Sequence, residues 1–561
     1  MYSKLEKIIN EAFDSLNYNY KSKVIKSNID GVDFQCDDAF KLAKIYHKAP
    51  FIIAEEVVKK VKEGTNFGEY FSDLSVSKPG FINICVNDKF INESLREIIS
   101  NDSFGVEKEN KTIVVDYGGP NVAKPLHVGH LRSAIIGQAI NNILSFKGNK
   151  VIGDVHLGDI GTQMGQVIYG ILNDFPNEKV ENIDFDLNYL NVTYPKISAL
   201  CKEDDEVRKK CALITKKLQE GDADYRILWD KIKKVSVGDI KRIYNYLSVH
   251  FDYWYGESDS YKYFDKMINY LNDQNILRID DGAKVIDVKE DDDKIDIPPC
   301  LIQKSDGAYL YATSDLGTIW QRKCDFDPDN IIYIVDSRQS MHFTQVFRVA
   351  KKAHIYDGKL EFHGFGTVNG EDNKPFKTRD GGALKLEDLI HEVRNEFVNL
   401  REENKMMASD DLDKIVNSIL KFADLQNDLT RNYIFDIKKF SEVNGKTGPY
   451  ILYTYLRINK LIDNNSCSLS NKIYSETDRS LRLKLLDVTN VIETASKERR
   501  PHYIATYLYE LAVCANNFYQ NNYMSNLSGQ IKADYNTILS FNNKVLKTLL
   551  KLLGIYIPKA M

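Results

Sequence analysis

Apolar residues near the N-terminus follow two different periods. Between Leu5 and Leu16, and again between Phe51 and Val61, they recur at the three-to-four-residue spacing of a helix face. Residues 80–86, Gly-Phe-Ile-Asn-Ile-Cys-Val, instead alternate like a strand. Helices followed by short strands predict a small α+β domain, which we assign to residues 1–105.

The next stretch has the pattern of a βαβ unit. Residues 112–117 form a short β-rich run, a Gly/Pro loop and an apolar-faced helix follow, and residues 151–155 form a second β-like run. Further strand-like segments occur at residues 308–312, 331–335 and 361–368. We therefore predict an α/β, Rossmann-like catalytic domain with a parallel sheet over residues 106–390.

The remaining segments have helical periodicity. Residues 173–299 are helical and highly charged, which predicts an insertion lying outside the sheet with solvated helix faces. Residues 391–440 are predicted to form a helical connection. Tyr-rich and Leu-rich stripes over residues 441–561 predict a C-terminal all-α helix bundle.

Composition narrows the class of protein. The chain has 561 residues, 43% of them hydrophobic and 28% charged, which is typical of a folded protein with several domains. A net charge of -5 neither supports nor excludes nucleic acid as a partner. The 8 cysteines include no Cys-x-x-Cys pair, so neither a zinc ribbon nor a disulfide framework is indicated. No signal-peptide core or membrane-spanning run is present, and a cytoplasmic location is expected.

His127-Val-Gly-His130 is the sharpest local motif, because it falls at the loop-to-helix transition after the first strand of the βαβ unit. A helix N-terminus offers unpaired N–H groups that hold phosphates. Both histidines can donate to such a phosphate, and Gly129 leaves room for a flat base. Two incidental histidines or a metal pair are the alternatives, which the strand–loop–helix context disfavours.

A second element, Lys374-Pro-Phe-Lys377-Thr378-Arg379, follows the last predicted strand and is rich in turn formers. Its cations could neutralise the charge that develops on a leaving pyrophosphate. Taken alone, this segment would be an exposed basic turn. Together with the histidine motif it predicts a loop that closes over a nucleotide.

The pair of elements resembles the HIGH and KMSKS signatures of class I aminoacyl-tRNA synthetases. Residues 116–133, Asp-Tyr-Gly-Gly-Pro-Asn-Val-Ala-Lys-Pro-Leu-His-Val-Gly-His-Leu-Arg-Ser, are similar to the arginyl-tRNA synthetases specifically. Further similar stretches occur in the same order at residues 153–163, 304–316, 336–343, 376–381 and 448–457. The resemblance covers nearly the whole chain. The second signature departs from its usual form, since Pro375, Phe376 and Thr378 replace Met, Ser and Ser.

The resemblance implies site residues for ATP and for catalysis. The implied ATP-binding residues are His127, Gly129, His130, Lys374, Lys377 and Thr378. The implied catalytic residues are Lys124, His127, His130 and Lys377, with Lys124 at the position of a lysine that compensates for a degenerate second signature. ATP is then a substrate accompanied by Mg²⁺, and no structural metal is expected.

The implied arginine pocket consists of Asp116, Asn121, His130, Tyr311, Asp315 and Gln339. Such a pocket suits a guanidinium, which needs planar acceptors and an aromatic wall. Asp315 would accept two hydrogen bonds from it, with Tyr311 one helical turn before or one strand face away. Asp116 stands where many relatives carry Glu, so it could reach the substrate amino group through water.

For tRNA, the N-terminal region resembles the family's domain that meets the tRNA elbow, and the C-terminal bundle resembles its anticodon-binding domain. Phe81 and Asn83 match residues that stack on and hydrogen-bond a nucleotide, although Phe81 could instead be sheet core. Tyr455 and Arg457, on one helix with Tyr450 and Tyr453, could supply stacking and phosphate contacts. Some of these residues must be core.

The resemblance therefore implies an arginine–tRNA ligase that uses L-arginine, ATP and tRNA(Arg). A monomer with no membrane partner is expected. Two other functions stay open on the sequence alone. A small-molecule adenylating nucleotidyltransferase shares the Rossmann-like sheet and an H-x-G-H element, but needs no large C-terminal bundle. A non-catalytic synthetase-like RNA-binding protein would tend to lose signature groups, and here both histidines and both lysines are present.

Overall fold

The computed structural model describes residues 1–305, 307–370, 373, 374, 376, 384–400, 406–463 and 469–561. These residues belong to two compact units. The terminal unit comprises residues 1–107, 451–494 and 506–549, and the central unit comprises residues 108–450, 495–505 and 550–561.

The N-terminal part of the terminal unit is an α+β domain, as predicted. Its elements are α1 (Tyr2–Ser15), β1 (Ile25–Lys26), β2 (Phe34–Cys36), α2 (Ala39–Tyr46), α3 (Pro50–Lys62), α4 (Phe67–Tyr70), β3 (Phe71–Ser77), β4 (Phe81–Val86) and α5 (Asp88–Ile99). The strands form an antiparallel sheet in the order β1-β2-β4-β3. Leu5, Ile53 and Ile84 are fully buried, so the predicted helical stripes and the alternating strand share a core.

The central unit contains the longer series of elements. In chain order they are β5 (Thr112–Asp116), α6 (Val128–Phe146), β6 (Lys150–Asp154), α7 (Thr162–Asp174), α8 (Leu187–Glu203), α9 (Asp205–Glu220), α10 (Ala223–Tyr246), α11 (Glu257–Ser260), α12 (Phe264–Asp273), β7 (Arg278–Asp280), β8 (Ala283–Ile286), β9 (Cys300–Gln303), α13 (Tyr311–Phe326), β10 (Asn330–Asp336), α14 (Ser340–Lys352), β11 (Lys359–Phe365), β12 (Val368–Asn369), α15 (Leu386–Leu400), α16 (Ser409–Leu425), β13 (Tyr433–Ile434) and α17 (Ile437–Ser441).

Four strands form the predicted parallel sheet, in the order β11-β10-β5-β6. Val114, Ile331 and Ile334 are fully buried, as expected for strands covered on both faces. Because the strands are parallel, their carboxyl ends lie at one edge, where β5, β6 and β10 end in Asp116, Asp154 and Asp336. This edge is where ligands bind in open α/β sheets.

Two predictions about the central unit differ from the structure. Residues 308–312 were expected to form a strand, but α13 begins at Tyr311 after Leu310, whose φ of -127° and ψ of 171° extend the chain at the helix N-cap. The helical insertion also contains β7 and β8, which form an antiparallel sheet with β9. Moreover, Tyr253 bridges Asp154 in parallel at the edge of the main sheet, so part of the insertion does not lie outside it.

The C-terminal part of the chain is helical, as predicted. Its helices are α18 (Gly448–Asn459), α19 (Glu476–Leu486), α20 (Val488–Glu498), α21 (His502–Asn521) and α22 (Gly529–Leu552). Their leucine stripes are fully buried at Leu481, Leu485, Leu508, Leu511 and Leu549. Within the described ranges, no helix is both long and apolar enough to cross a membrane.

Candidate active site

A cavity of about 650 Å³ opens at the carboxyl edge of the parallel sheet. It brings together many residues that were predicted to bind ATP or arginine and that lie far apart in the sequence. Those that line it are Asp116, Asn121, His127, Gly129, His130, Tyr311, Asp315 and Gln339. The histidines approach from the start of α6, and Tyr311 and Asp315 from the start of α13. The cavity thus joins a cationic or neutral donor end to a carboxylate end.

The two histidines are fixed by the backbone of the helix start. His127 is the N-cap of α6, and its Nδ1 accepts a hydrogen bond from the Gly129 N–H at 3.1 Å. The Nδ1 of His130 accepts in turn from the His127 N–H at 3.1 Å. In a neutral imidazole whose Nδ1 accepts, Nε2 carries the hydrogen. Each ring therefore presents an Nε2–H donor at the positive end of a helix dipole.

Burial keeps these rings uncharged. It lowers the pKa of His130 to about 3, with smaller contributions from the charges of His127 and Lys124. Burial also lowers the pKa of His127, again with help from Lys124. A Cβ on Gly129 would lie 2.8 Å from Cε1 of His127, so any side chain there would displace that ring. Glycine is required here by close approach.

Lys124 lies in a turn that the helical insertion holds. Its Nζ is 4.8 Å from the ring centroid of Tyr194 on α8, a cation–π distance. The preceding residue, Ala123, has a φ of +65°, and its N–H donates to Oγ of Ser236 on α10 at 3.0 Å. Two helices of the insertion therefore contact the turn that carries Lys124.

Asp116 and Asp315 have different partners at the carboxylate end. Asp116 is buried, and its Oδ2 lies 2.6 Å from the guanidinium of Arg322, which also contacts Asp154 at 2.6 Å. Burial raises the pKa of Asp116, and Arg322 opposes that shift. The Oδ2 of Asp315 lies 2.5 Å from Nε2 of His342 on α14.

Tyr311 and Asp315 lie on the same helix, so the helical-turn alternative is the one observed. Tyr311 is 67% exposed, which leaves one face of its ring available to a ligand. Gln339 ends the short 3-10 helix Ser337–Gln339 and is exposed. Asn121 is exposed as well, and its Oδ1 would lie 2.2 Å from a Cβ on Gly158, so that glycine makes room for the amide.

Glu257 is a cavity residue that the sequence did not single out. It opens the short helix α11, and burial raises its pKa to about 7. The charges of Asp315 and Asp159 also raise this pKa, whereas His156 lowers it. A carboxyl whose pKa lies near neutrality in a cleft is a functional candidate. Glu257 lies in a charged helical stretch, where one more acidic residue does not stand out. The only local pattern is a Gly-Glu pair at the start of a helix.

The predicted loop residues are only partly described. Lys374 does not line the cavity, and its carbonyl accepts a hydrogen bond from the Gly370 N–H at 2.9 Å. Lys377 and Thr378 lie outside the described residues. Among the residues that the structure covers, no three His, Cys, Asp or Glu side chains are grouped to hold a metal ion.

Comparisons with known proteins agree along the whole chain. Residues 94–437 match the family described as tRNA synthetases class I (R), catalytic domain. Residues 3–86 match the arginyl tRNA synthetase N terminal domain, and residues 451–561 match the DALR anticodon binding domain. The arginine–tRNA ligase of Alkaliphilus oremlandii is 40% identical over 588 residues, covering 100% of both chains. The chain belongs to the arginyl-tRNA synthetases.

Other relatives extend this comparison. The arginine–tRNA ligase of Agathobacter rectalis is 40% identical over 590 residues, covering 99% of this chain and 98% of that protein. The crystal structure of arginyl-tRNA synthetase from Plasmodium falciparum aligns with a TM-score of 0.84 at 25% identity, over 100% of this chain and 99% of that one. The Thermus thermophilus arginyl-tRNA synthetase has the same fold, with a TM-score of 0.83 at 20% identity over 100% of both chains.

Four residues were predicted from the family resemblance to contact tRNA. Phe81 is half-buried, and its ring centroid is 5.0 Å from that of Phe40. Asn83 is buried, and its Oδ1 accepts from Nε2 of Gln35 at 2.8 Å. On α18, Tyr455 and Arg457 are half-buried, and the Arg457 guanidinium lies 4.3 Å from the ring centroid of Tyr519. Their contacts with tRNA stay predictions.

Proposed function

We propose that this chain activates L-arginine with ATP and attaches it to tRNA(Arg). The observation that carries the proposal is that one cavity is lined both by histidines at a helix start and by a group of carboxylates. In the first step, the arginine carboxylate attacks the α-phosphate of ATP, which forms arginyl-adenylate and releases pyrophosphate. In the second step, a hydroxyl of the terminal tRNA ribose attacks the arginyl carbonyl and AMP leaves.

At the phosphate end, the Nε2–H groups of His127 and His130 donate to phosphate oxygens as charge moves from the α-phosphate to pyrophosphate. Lys124 contributes a positive charge beside them, and Lys374, Lys377 and Thr378 are assigned to the triphosphate from the sequence. Prearranged donors of this kind stabilise a transition state because they need not reorient during the reaction. Mg²⁺ arriving with ATP would supply further neutralisation of the pyrophosphate.

At the carboxylate end, Asp315 and Glu257 accept hydrogen bonds from the guanidinium, and the exposed ring of Tyr311 forms a wall beside it. His342 orients Asp315 through their 2.5 Å contact. Asn121, Gln339 and Asp116 bind the remaining polar groups of arginine. Since one oxygen of Asp116 already lies 2.6 Å from Arg322, its other oxygen is the one assigned to the substrate amino group.

For tRNA, we propose that the N-terminal domain meets the elbow and that the C-terminal helices meet the anticodon. Phe81 and Asn83 serve the first contact, and Tyr455 and Arg457 the second. An aromatic ring beside an amide suits an unstacked base, and an arginine stacked on tyrosine suits a base next to a phosphate. We further propose that the chain acts as a monomer in the cytoplasm. Sedimentation at several protein concentrations would test whether it is a monomer.

Pyrophosphate exchange into ATP tests the proposal directly. With arginine alone we expect negligible exchange, because the family resemblance implies that cognate tRNA is needed to form the adenylate. Exchange should appear when tRNA(Arg) is added and should fail with a non-cognate tRNA. Strong exchange with another carboxylic acid and no tRNA would favour a small-molecule adenylating enzyme. Binding of tRNA without exchange under any condition would favour a non-catalytic RNA-binding protein.

A further inference from the structure

Asp159 is a fully buried carboxylate that the proposed mechanism does not use. It lies between β6 and α7, within the Gly-Asp-Ile-Gly part of a stretch that resembles the synthetase family. Its Oδ2 accepts hydrogen bonds from Nζ of Lys233 at 2.6 Å and from Oγ of Ser258 at 2.7 Å. Its Oδ1 accepts from the Ser258 N–H at 3.0 Å. The carboxylate is therefore fixed at the start of α11.

The backbone beside Glu257 packs closely against Asp159 and is hydrogen-bonded to Leu157. A Cβ on Gly256 would lie 2.3 Å from Oδ2 of Asp159, so the carboxylate packs directly against that glycine. On the other side, the Glu257 N–H donates to the Leu157 carbonyl at 2.9 Å, and the Leu157 N–H donates to the Tyr255 carbonyl at 2.7 Å. Glu257 is thus held between an extended backbone pairing and the Asp159 contacts with the next residue.

Lys233 is the counter-ion of Asp159. It lies on α10 with its Nζ 4.9 Å from the ring centroid of Trp229, and the Trp229 Nε1–H donates to the Asp159 carbonyl at 2.5 Å. The side chain of Lys233 is only 23% exposed. A buried carboxylate needs such a partner, since an unpaired buried charge is costly. Helix α10 therefore places both a cation and an indole around Asp159.

The titratable groups that interact electrostatically with Glu257 come from several elements. They are His156 and Asp159 from the loop after β6, Asp315 from α13, and the hydroxyls of Tyr261 and Tyr311, whose own ionisation Glu257 disfavours. Asp159 and Asp315 disfavour the charged form of Glu257, and His156 favours it. Lys233 does not contribute to the pKa shift of Glu257. It acts on Asp159.

We infer that Asp159 and Lys233 form a positioning pair that fixes Glu257 in the arginine pocket and sets how well that pocket takes a guanidinium. The inference rests on the proposed role of Glu257 in arginine binding. Neither residue of the pair touches the substrate. Asp159 holds the backbone on which Glu257 stands, and Lys233 cancels the negative charge that Asp159 would otherwise direct at Glu257.

The two charges predict opposite effects on the acid side of the pH profile. In Asp159→Asn, a negative charge next to Glu257 is lost and Lys233 is left unpaired, so Glu257 should ionise at lower pH. In Lys233→Met, the charge of Asp159 is left uncompensated, so Glu257 should ionise at higher pH. We expect shifts of roughly 0.5–1 pH unit in opposite directions, within the range that a nearby charge produces. Loss of packing alone would not give opposite signs.

The experiment measures kcat/KM for arginine in aminoacylation by the full chain from about pH 5.5 to 8, with saturating ATP and tRNA(Arg). At the alkaline end of this range, both variants should raise KM for arginine by about tenfold, because a displaced Glu257 would lose a charge-assisted hydrogen bond to the guanidinium, with KM for ATP unchanged. Lys231→Met is the matched control, because Lys231 lies on the same helix and donates to the backbone carbonyls of Val180, Glu181 and Ile183. This control variant should leave the acid limb of the pH profile, which is its acid side, where it is in the unmodified protein.

Ser258→Ala provides a milder variant if Asp159→Asn does not fold. It removes one donor to Asp159 without changing a charge, so it should raise KM for arginine a few-fold and leave the acid limb in place. Glu257→Gln is the reference and should remove the limb. If Glu257→Gln changes arginine kinetics but both charge variants shift the limb in one direction or not at all, the positioning pair is overturned and the proposed function stands. If Glu257→Gln changes nothing, the role of Glu257 and the inference both fail.

Discussion

The phosphate end and the arginine end of the cavity handle charge in opposite ways. At the phosphate end, two histidines are kept neutral by burial and are held by the first turn of a helix. At the arginine end, three carboxylates share the space with three different partners: Arg322 for Asp116, His342 for Asp315, and the Asp159-bound helix start for Glu257. One end supplies donors and the other supplies charge.

This difference follows from what each end must bind. The charge on the phosphates shifts during the reaction. Neutral N–H donors at a helix N-terminus can stabilise it before and after the shift without losing a proton. The guanidinium keeps its charge throughout, because it does not deprotonate in proteins. A fixed anionic partner therefore suits arginine. Variants at the two ends should separate accordingly, with specificity lost at one and rate lost at the other.

The largest effect is expected for Asp315→Asn. Citrulline has the shape of arginine without the charge, and a pocket built around a carboxylate should reject it by roughly 10⁴-fold or more. The variant should lose most of that discrimination while KM for ATP stays nearly constant. Competition between the two amino acids in adenylate formation measures it. Asp325→Asn is the control, since Asp325 lies on the same helix and is exposed, with Tyr255 as its partner at 3.2 Å.

Retention of full discrimination by Asp315→Asn would mean that another carboxylate selects the substrate. Asp116 and Glu257 would then be tested by the same substitution to the amide. Lysine should also be rejected by the unmodified protein, because a compact ammonium cannot satisfy a carboxylate in the planar fork that arginine offers.

The next effect concerns rate at the phosphate end. His127→Ala and His130→Ala should each cost about 2–4 kcal/mol of transition-state stabilisation, or roughly 30- to 1000-fold in the rate of adenylate formation. KM for arginine should change little in His127→Ala. Pyrophosphate exchange in the presence of tRNA(Arg) measures the rate. His354→Ala, at an exposed histidine paired with Asp357, is the control. Near-normal rates in both variants would remove these residues from catalysis.

A smaller effect is expected from pH, and it should appear at one end only. The pKa of Glu257 is raised to about 7, so its charged form is lost as pH falls through that value. Arginine binding should weaken by up to about tenfold per pH unit below 7. The pKa of His130 lies at about 3, so its ring stays neutral over the same range and KM for ATP should be flat. Parallel changes in both KM values between pH 5.5 and 8 would contradict the separation.

The histidines of the phosphate end could be grouped from the sequence pattern itself, whereas Asp116, Asn121, Tyr311, Asp315 and Gln339 at the arginine end were grouped only by the family resemblance. His127, Gly129 and His130 lie in one turn, so a strand–loop–helix pattern was enough to bring them together. Glu257 and His342 reach the cavity from segments that are distant in the sequence. The position of Glu257 depends on two parallel bridges, Tyr253 with Asp154 and Gly256 with Leu157. Isolated bridges produce no regular hydrophobic periodicity that the sequence could reveal.

The incorrect strand at residues 308–312 has a related cause. Tyr309 and Tyr311 flank Leu310 in an alternation that suits a strand, and Tyr309 does make an isolated bridge with Gln303. The extended Leu310 is however the N-cap of α13, whose helical residues begin at once with Tyr311. Short apolar runs do not distinguish a strand from a helix start, and the packing of Leu316 and Ile319 in the core decides here.

The smallest effect tests whether the helical insertion serves the phosphate end. The Nζ of Lys124 lies 4.8 Å from the Tyr194 ring centroid, and a cation–π contact of this kind is worth about 0.5–2 kcal/mol. Tyr194→Leu should therefore lower kcat/KM for ATP by about 2- to 30-fold, whereas Tyr194→Phe keeps the ring and should retain most of the activity. In a Lys124→Met background, Tyr194→Leu should add little, because the partner of the ring is already gone. If Tyr194→Phe is as impaired as Tyr194→Leu, the hydroxyl rather than the ring face matters. If the two substitutions at Lys124 and Tyr194 are instead additive, the insertion supports the fold of the site without positioning its lysine.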